Sequence, residues 1–417
     1  MILVLIDFDG VIVDTKKKSF DIFKKSLEKL QNCKNFRLIK NLYNQADGLN
    51  LLSISKLLGN FYKTDYLKFY KFFSLEWSKV YKEASVRKEI LDFFDFINNL
   101  DVKIVIFSSS NIKDINKILK TKLKKYDFIQ KQFDNKYLLS NKTIRKIKNY
   151  QKITKNFINI DDNAFINKQM LKINFIPIYY EVNNTKKNLT ETFIKALFKN
   201  KINFFYNINK SQRISFKLLN YNVPKNMIDF SFKNSKNIIK KNHFNNELSF
   251  LHSISFKNKK LCINGFQNFY NLRYLKKHIS FAVQGYIVIN LNNYIIGKRK
   301  KVITEKKLYE FIPSGGLINF SKNDLYFQIK NECKEELNLD ISKKEISIIG
   351  FYLDFSQNLL DFIFKIDLKK SSVLKYKLAL SSEHSKFFIK KKKYLKKNIN
   401  QFTNTSKKII TRIIDEK

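Results

Sequence analysis

The chain opens on an uninterrupted apolar run, Ile2 to Ile6, which stops at Asp7. A short apolar run closed by polar residues predicts a buried strand. The pattern returns at 102–107 (VKIVIF), closed by Ser108-Ser109-Ser110-Asn111, and at 157–160 (FINI), closed by Asp161-Asp162-Asn163. Residues 15 to about 85 read as helices instead: SFDIFKKSLEKL, LNLLSISKLLGNFY and LKFYKFFSLEWSKVYKEA. Another, basic helix opens at Asn141-Lys142-Thr143-Ile144-Arg145. Strands alternating with helices predict a parallel α/β sheet for the first half. Residues 201–244 carry no usable motif and read as a linker or extension. Strand patterns then return. YIVINLNNYIIGKRKK predicts a hairpin joined at Leu291-Asn292-Asn293. Further on, Leu325, Ile329, Cys333 and Leu337 recur every four residues, the stripe of a half-buried helix.

The polar residues that end the strands carry the candidate chemistry. Asp7 and Asp9 stand two apart where the first strand stops, at the carboxyl edge where open α/β sheets bind ligands. Clustered carboxylates repel one another and call for a hard cation such as Mg²⁺. Asp161 and Asp162 add ligand capacity at a third strand end. The hydroxyl and backbone N–H groups of the 108–111 loop suit a phosphate oxygen, and a lysine opening the 141 helix could neutralise a phosphoryl group. On the later helix, Glu332, Glu335 and Glu336 span an arc of roughly 100° that overlaps the apolar stripe. Three like charges this close weaken a bare helix, and a divalent cation would relieve them. An ordinary surface pair is the plainer alternative.

Composition sets limits. With 417 residues there is room for two or three domains of about 150 residues. Hydrophobic residues are 44% and aromatics 15%, which excludes a disordered chain. Cys33, Cys262 and Cys333 have no paired spacing, so neither a disulfide framework nor a cysteine zinc module is expected. Lys+Arg 80 against Asp+Glu 36 gives a net charge of +44. A polyanion partner is one reading. AT-rich codons, which favour Lys, Asn, Ile, Phe and Tyr, are the other. The even spread of the lysines favours it, so no specific nucleic-acid binding is expected. The longest uncharged run, 279–297, contains Gln284, Asn290, Asn292 and Asn293 and makes a poor membrane span. No targeting segment is evident, and a cytoplasmic protein is expected.

Residues 1 to about 200 resemble the haloacid dehalogenase (HAD) superfamily of phosphohydrolases. The D-x-D-G-V-x-x-D signature is Asp7, Asp9, Gly10, Val11 and Asp14. Ser108 falls at the hydroxyl motif, Lys142 (or Lys146) at the lysine motif, and Asp161-Asp162 at the acidic motif. The resemblance implies a Rossmann-like domain with a helical cap inserted over about 15–85. It implies that Asp7 attacks phosphorus and that Asp9 protonates the leaving oxygen and then activates water. Ser108, Ser109 and Lys142 would hold phosphoryl oxygens, and Asp7, Asp9, Asp161 and Asp162 would supply the Mg²⁺ site. Asp161 stands where relatives carry Gly, and Asn167 near where they carry a later Asp, so the metal-ligand pair stays open. The cap aromatics Phe69, Tyr70, Phe72, Phe73 and Trp77 are expected to pack a core.

Residues 245–417 resemble a Nudix hydrolase, an α/β/α sandwich. Gly316, Glu332, Cys333, Glu335, Glu336 and Leu339 match its box. The span from Gly316 to Glu332 is one residue longer than the pattern, Asn323-Asp324 stand at an upstream Glu position, and Asn331 and Asn338 replace the motif Arg and Gly. The resemblance implies that Glu332, Glu335 and Glu336 bind Mg²⁺ and activate water. Glu383 is a candidate further glutamate, and LCINGFQNFYNLRYL resembles the strand extension of some Nudix enzymes. Together the two resemblances imply a bifunctional Mg²⁺-dependent hydrolase acting on small phosphorylated substrates, namely sugar phosphates and nucleoside diphosphate derivatives such as nucleotide-sugars. The alternative is a HAD phosphatase or phosphomutase carrying a non-catalytic nucleotide-binding module. Oligomeric state is not legible.

Overall fold

The computed structural model describes residues 1–46, 49–119, 123, 126–134, 138–180, 188–208, 213–219, 247–258, 260–269, 278–300, 308–317, 322–368 and 384–415. The chain divides into two compact units, Met1–Asn200 and Lys201–Lys417.

The first unit is built on β1 (Ile2–Ile6), which is buried at every position. The chain then makes α1 (Lys16–Gln31), α2 (Phe36–Ala46), α3 (Leu51–Tyr62), α4 (Tyr66–Glu83) and α5 (Lys88–Ile97). From there β2 (Val102–Ser108), α6 (Ile112–Leu119), β3 (Asp127–Gln130), α7 (Asn141–Gln151), β4 (Asn156–Asp161), α8 (Ala164–Leu171), β5 (Ile176–Tyr179) and α9 (Leu189–Lys199) alternate. The strands form one parallel sheet in the order β3-β2-β1-β4-β5. β1 is central because its continuous apolar run tolerates helices on both faces. Ile6 pairs with Ile106 and Ile160, which brings the ends of β1, β2 and β4 to one edge.

Helices α1 to α4 form an insertion with its own core, including Phe23, Leu27, Ile39, Leu42, Leu58 and Phe69. Asn50 caps α3 by accepting from the Ser53 N–H at 2.8 Å, and Asp65 caps α4 by accepting from Leu67 N–H at 2.9 Å. Helix α2 falls between the stretches read from sequence; Ile39, Leu42 and Ala46 are its buried face. The insertion leaves and rejoins the sheet domain at one place. Val13 bridges Val86, and Arg87 pairs with Asp14.

Within the insertion, Glu76 of α4 accepts from Lys25 of α1 at 2.8 Å and from Lys79 at 2.7 Å. These bonds, Lys25 first, pull its carboxyl down to about 2. A lowered folded-state pKa gives stability that is present above the ordinary value of about 4.5 and lost as pH falls from there towards 2. The lysines are largely exposed, so the contribution is about 1 kcal/mol. Thermal melts at pH 6 and pH 3 should show Glu76→Gln less stable than wild type at pH 6, with the gap narrowing at pH 3. An unchanged gap would assign the stabilisation elsewhere.

The second unit starts earlier than the sequence suggests. Its sheet contains β6 (Phe204–Asn207) and β7 (Arg213–Leu218), both inside the stretch read as a linker. Residues 209–212 and 220–246 lie outside the described residues, as do Glu383 and the 270–275 part of the candidate extension. The remaining strands are β8 (Glu247–Lys257), β9 (Lys260–Phe269), β10 (Ile279–Ile289), β11 (Asn293–Arg299), β12 (Tyr309–Phe311), β13 (Ser314–Gly316), β14 (Ile346–Asp354), β15 (Leu359–Leu368) and β16 (His384–Lys391). The helices are α10 (Lys322–Leu337), α11 (Lys392–Lys397) and α12 (Asn404–Asp415). β10, buried at all its positions, pairs in parallel with β15 and turns directly into β11. Asn290 and Leu291 supply the left-handed turn (φ 46° and 69°), confirming the hairpin.

Alternation along β10 sends neighbours to opposite faces. A Cβ on Gly285 would come within 3.2 Å of Ile329 of α10. Gln284, on the other face, donates to Ser406 of α12 at 3.3 Å. Helices therefore cover both faces, an α/β/α sandwich. No helix among the described residues is long and apolar enough to cross a membrane.

Candidate active site

Four strand ends meet at the carboxyl edge of the first sheet. Asp7 follows β1, and its N–H donates to Ile160 O at 2.9 Å, which fixes it beside the end of β4. Asp161 ends β4 and is fully buried. Lys131 follows β3 and is 1% exposed. Its backbone N–H donates to Ser108 O at 2.8 Å, so β2 aims it inward. The Lys131 ammonium donates to Asp161 Oδ2 at 2.7 Å and lies 2.9 Å from Asp7 Oδ2. Burial works against that ammonium, but Asp161 and Asp7 outweigh it and push its pKa up. Asp7 is held well above the usual carboxylate range: burial is the main cause, Lys131 opposes it, and the other acids reinforce it.

Asp161 spends its second oxygen on the Asn163 N–H, at 2.8 Å. Asn167 donates to Asp161 O at 2.9 Å and so serves the backbone. Asp162 lies across Gly10, whose φ is 78°; a Cβ there would stand 2.1 Å from Asp162 Oδ2. Only glycine combines that backbone with that approach. Lys16 reaches Asp162 Oδ2 at 3.6 Å. Asp7, Asp161 and Asp162 each offer an oxygen within 4.8 Å of the others, the one such group of three among the described residues. An all-oxygen donor set of this kind fits Mg²⁺ or another hard cation.

Asp9 faces the insertion. Tyr81 of α4 donates to its Oδ1 and Oδ2 at 2.9 and 3.0 Å, and Ser110 donates to Oδ2. Burial raises the Asp9 carboxyl, against hydrogen bonds from Ser110, Tyr81 and Thr15 that lower it. Ser108 is buried and its hydroxyl accepts from the Ser110 N–H at 3.0 Å, so it shapes the loop; Ser109 lines the cavity. The cavity, about 940 Å³, lies between the sheet edge and the insertion, and Asp7, Asp9, Lys131 and Asp162 open on it. Lys142 also lines it but is exposed on the first turn of α7, and the ammonium that reaches the carboxylates is that of Lys131. Of the insertion's aromatics, Phe69 and Phe73 are core, Phe72 and Trp77 pack against it, and Tyr70, Phe73 and Trp77 line the cavity.

No protein-family model matches the chain, and no curated protein matches it. Solved structures do, at low identity. A bifunctional NMN adenylyltransferase/ADP ribose pyrophosphatase from Francisella tularensis, complexed with AMP and a Mn ion, is 13% identical over 76% of this chain and 90% of that one (TM-score 0.30). A haloacid dehalogenase-like family hydrolase from Streptococcus pneumoniae is 15% identical over 42% of this chain and 82% of that one (TM-score 0.29). A MutT/nudix family protein from Enterococcus faecalis is 13% identical over 27% of this chain (TM-score 0.22), which spans 43% of that protein's length.

The second candidate cluster is looser. Glu332 accepts from Gln328 at 2.7 Å and presses against β13, where a Cβ on Gly315 would stand 1.7 Å from its Oε1. Glu336 is 5% exposed, whereas Glu335 is exposed. The three glutamates do not bring three oxygens within ligating distance of one another. Between them Cys333 is fully buried, and burial followed by the Glu336 and Glu332 charges pushes its thiol well up, so it packs and does not react. The side chains of Asn323 and Asp324 lie outside the described residues.

Sequence reasoning missed Lys131 and Tyr81. The first follows a four-residue strand, DFIQ, too short and too polar to read; the second sits one turn after Trp77, a spacing that was available.

Proposed function

We propose that the first unit hydrolyses phosphomonoesters through an aspartyl-phosphate and that the second hydrolyses nucleoside diphosphates linked to another group. The observation that carries the first half is the Lys131 ammonium held between Asp7 and Asp161 at the floor of a cavity that also receives Asp9. A carboxylate oxygen of Asp7 attacks phosphorus as the bond to the leaving oxygen breaks, and Asp9 gives that oxygen its proton. Asp9 then takes a proton from water as the water attacks phosphorus and the Asp7–phosphorus bond breaks. Lys131 offsets charge on the phosphoryl oxygens, and the exposed Lys142 is left for substrate groups farther out. Asp7, Asp161 and Asp162 are the carboxylates placed to hold Mg²⁺. That ion would neutralise phosphoryl charge.

For the second unit the proposed residues are Glu332, Glu335 and Glu336. Their dispersal favours a second reading, a module that binds a nucleotide without cleaving it. Product analysis by mass, with Mg²⁺ and a panel of nucleotide-sugars, dinucleotides and sugar phosphates, separates the two. Two working sites give nucleoside monophosphate together with free phosphate, and Glu335→Gln lowers the first roughly a hundredfold or more while sparing phosphate release from monoesters. Free phosphate from monoesters alone, with nucleotide still bound, establishes the binding module.

A further inference from the structure

Resting on the phosphatase reading, we infer that Tyr81 is a positioning residue through which the helical insertion sets the orientation of Asp9. The Asp9 carboxylate has a hydroxyl on it from each side of the cavity. Ser110 comes from the loop after β2, part of the sheet domain, and Tyr81 comes from α4, 72 residues away along the chain. The two hydroxyls also touch each other, at 2.6 Å. Asp9 is therefore fastened to the insertion and the sheet domain at once.

The Tyr81 ring likewise touches both parts. Its ring stacks on Trp77, one turn earlier on α4, with centroids 5.4 Å apart and an interplanar angle of 26°. It also meets Phe8, which lies between the two reactive aspartates, at 6.1 Å. Helix α4 ends at Glu83, and the chain is back on the sheet domain by the Val13–Val86 bridge. A tilt of α4 about that junction withdraws the Tyr81 hydroxyl and leaves Asp9 with Ser110 and Thr15. Asp9 must deliver a proton to the leaving oxygen and later accept one from water. Both transfers need its oxygen within hydrogen-bond reach of the reacting atom. A hydroxyl that touches Asp9 only while α4 lies against the site makes that reach conditional on the insertion's position.

The test is Tyr81→Phe, which keeps the ring and its stacking and removes the bonds. Steady-state kcat is expected to fall about tenfold to a hundredfold on alkyl phosphates, with KM within about twofold of wild type. Rapid-quench kinetics with p-nitrophenyl phosphate give the readout that a general loss of structure would not produce. That leaving group hardly needs a proton, so the burst of p-nitrophenol keeps its wild-type amplitude while turnover slows. Ser110→Ala, which removes the hydroxyl that the loop after β2 supplies, should give the same split. A kcat within twofold of wild type overturns the inference, and so does a burst that falls in proportion to turnover. A wild-type enzyme that releases no phosphate, or an Asp7→Asn variant that still does, overturns the phosphatase reading instead.

Discussion

Asp7→Asn is expected to abolish phosphate release from monoesters, by on the order of a thousandfold or more, while leaving the protein folded. The carboxamide has nearly the same shape but cannot form the acyl phosphate that the proposed mechanism requires. It also replaces a carboxyl that burial, reinforced by the neighbouring acids, holds well above the usual carboxylate range. The Lys131 ammonium keeps its 2.7 Å bond to Asp161 and so remains paired. Little stability should be lost. The comparison needs released phosphate, nucleoside monophosphate formation and a thermal melt on the same preparation. A folded variant that also loses pyrophosphate cleavage would mean the two activities share one site, contrary to the proposal.

Lys131→Met carries the second large effect, on stability as well as rate. The ammonium is buried between two carboxylates, at 2.9 Å from Asp7 and 2.7 Å from Asp161. Removing one partner of a buried ion pair costs about 3 kcal/mol or more, because the carboxylates left behind lose their counter-ion where burial leaves them little water. For a unit of this size that lowers the melting temperature by roughly 6–12 °C. Phosphate release should fall with it. The same reasoning gives a second readout: without Lys131, a divalent cation could take its place among Asp7, Asp161 and Asp162. Mg²⁺ should raise the variant's melting temperature more than the wild type's. Calorimetry with and without Mg²⁺ decides it, and a variant melting within about 2 °C of wild type would show that the acids do not depend on Lys131.

The parts of the site legible in the sequence are those where a long apolar run ends abruptly. β1, β2 and β4 announce themselves that way, and Asp7, Ser108 and Asp161 are found at their ends. Lys131 follows β3, whose four residues include Asp127 and Gln130, so no run marks the position. The sequence pattern marks Lys142 or Lys146 instead, and it is distance to Asp7 and Asp161 that singles out Lys131. Strands β6 and β7 stayed hidden for a related reason. They close the two ends of the strand path, and their four and six residues are too few for a period to emerge. β10 needed no such help, being apolar over most of its length and continuing into a turn of asparagines. The glutamate helix was legible as a helix, but periodicity could not say whether its three acids converge, because that depends on what β13 places against Glu332.

The junction of the helical insertion with the sheet domain has a consequence for how this protein can change. Outgoing and returning strands of chain are tied side by side by the Val13–Val86 bridge and the Arg87–Asp14 pair. An excursion whose ends already meet behaves as a cassette. It can be lengthened, remodelled or exchanged without asking β1 to move, since a loop's closure cost grows only with the logarithm of its length. The residues proposed to break and make bonds to phosphorus belong to the sheet, and much of the cavity wall belongs to the cassette. Selection can therefore act on what the protein recognises with little effect on what it does to it, Tyr81 being the point at which the two are not separable.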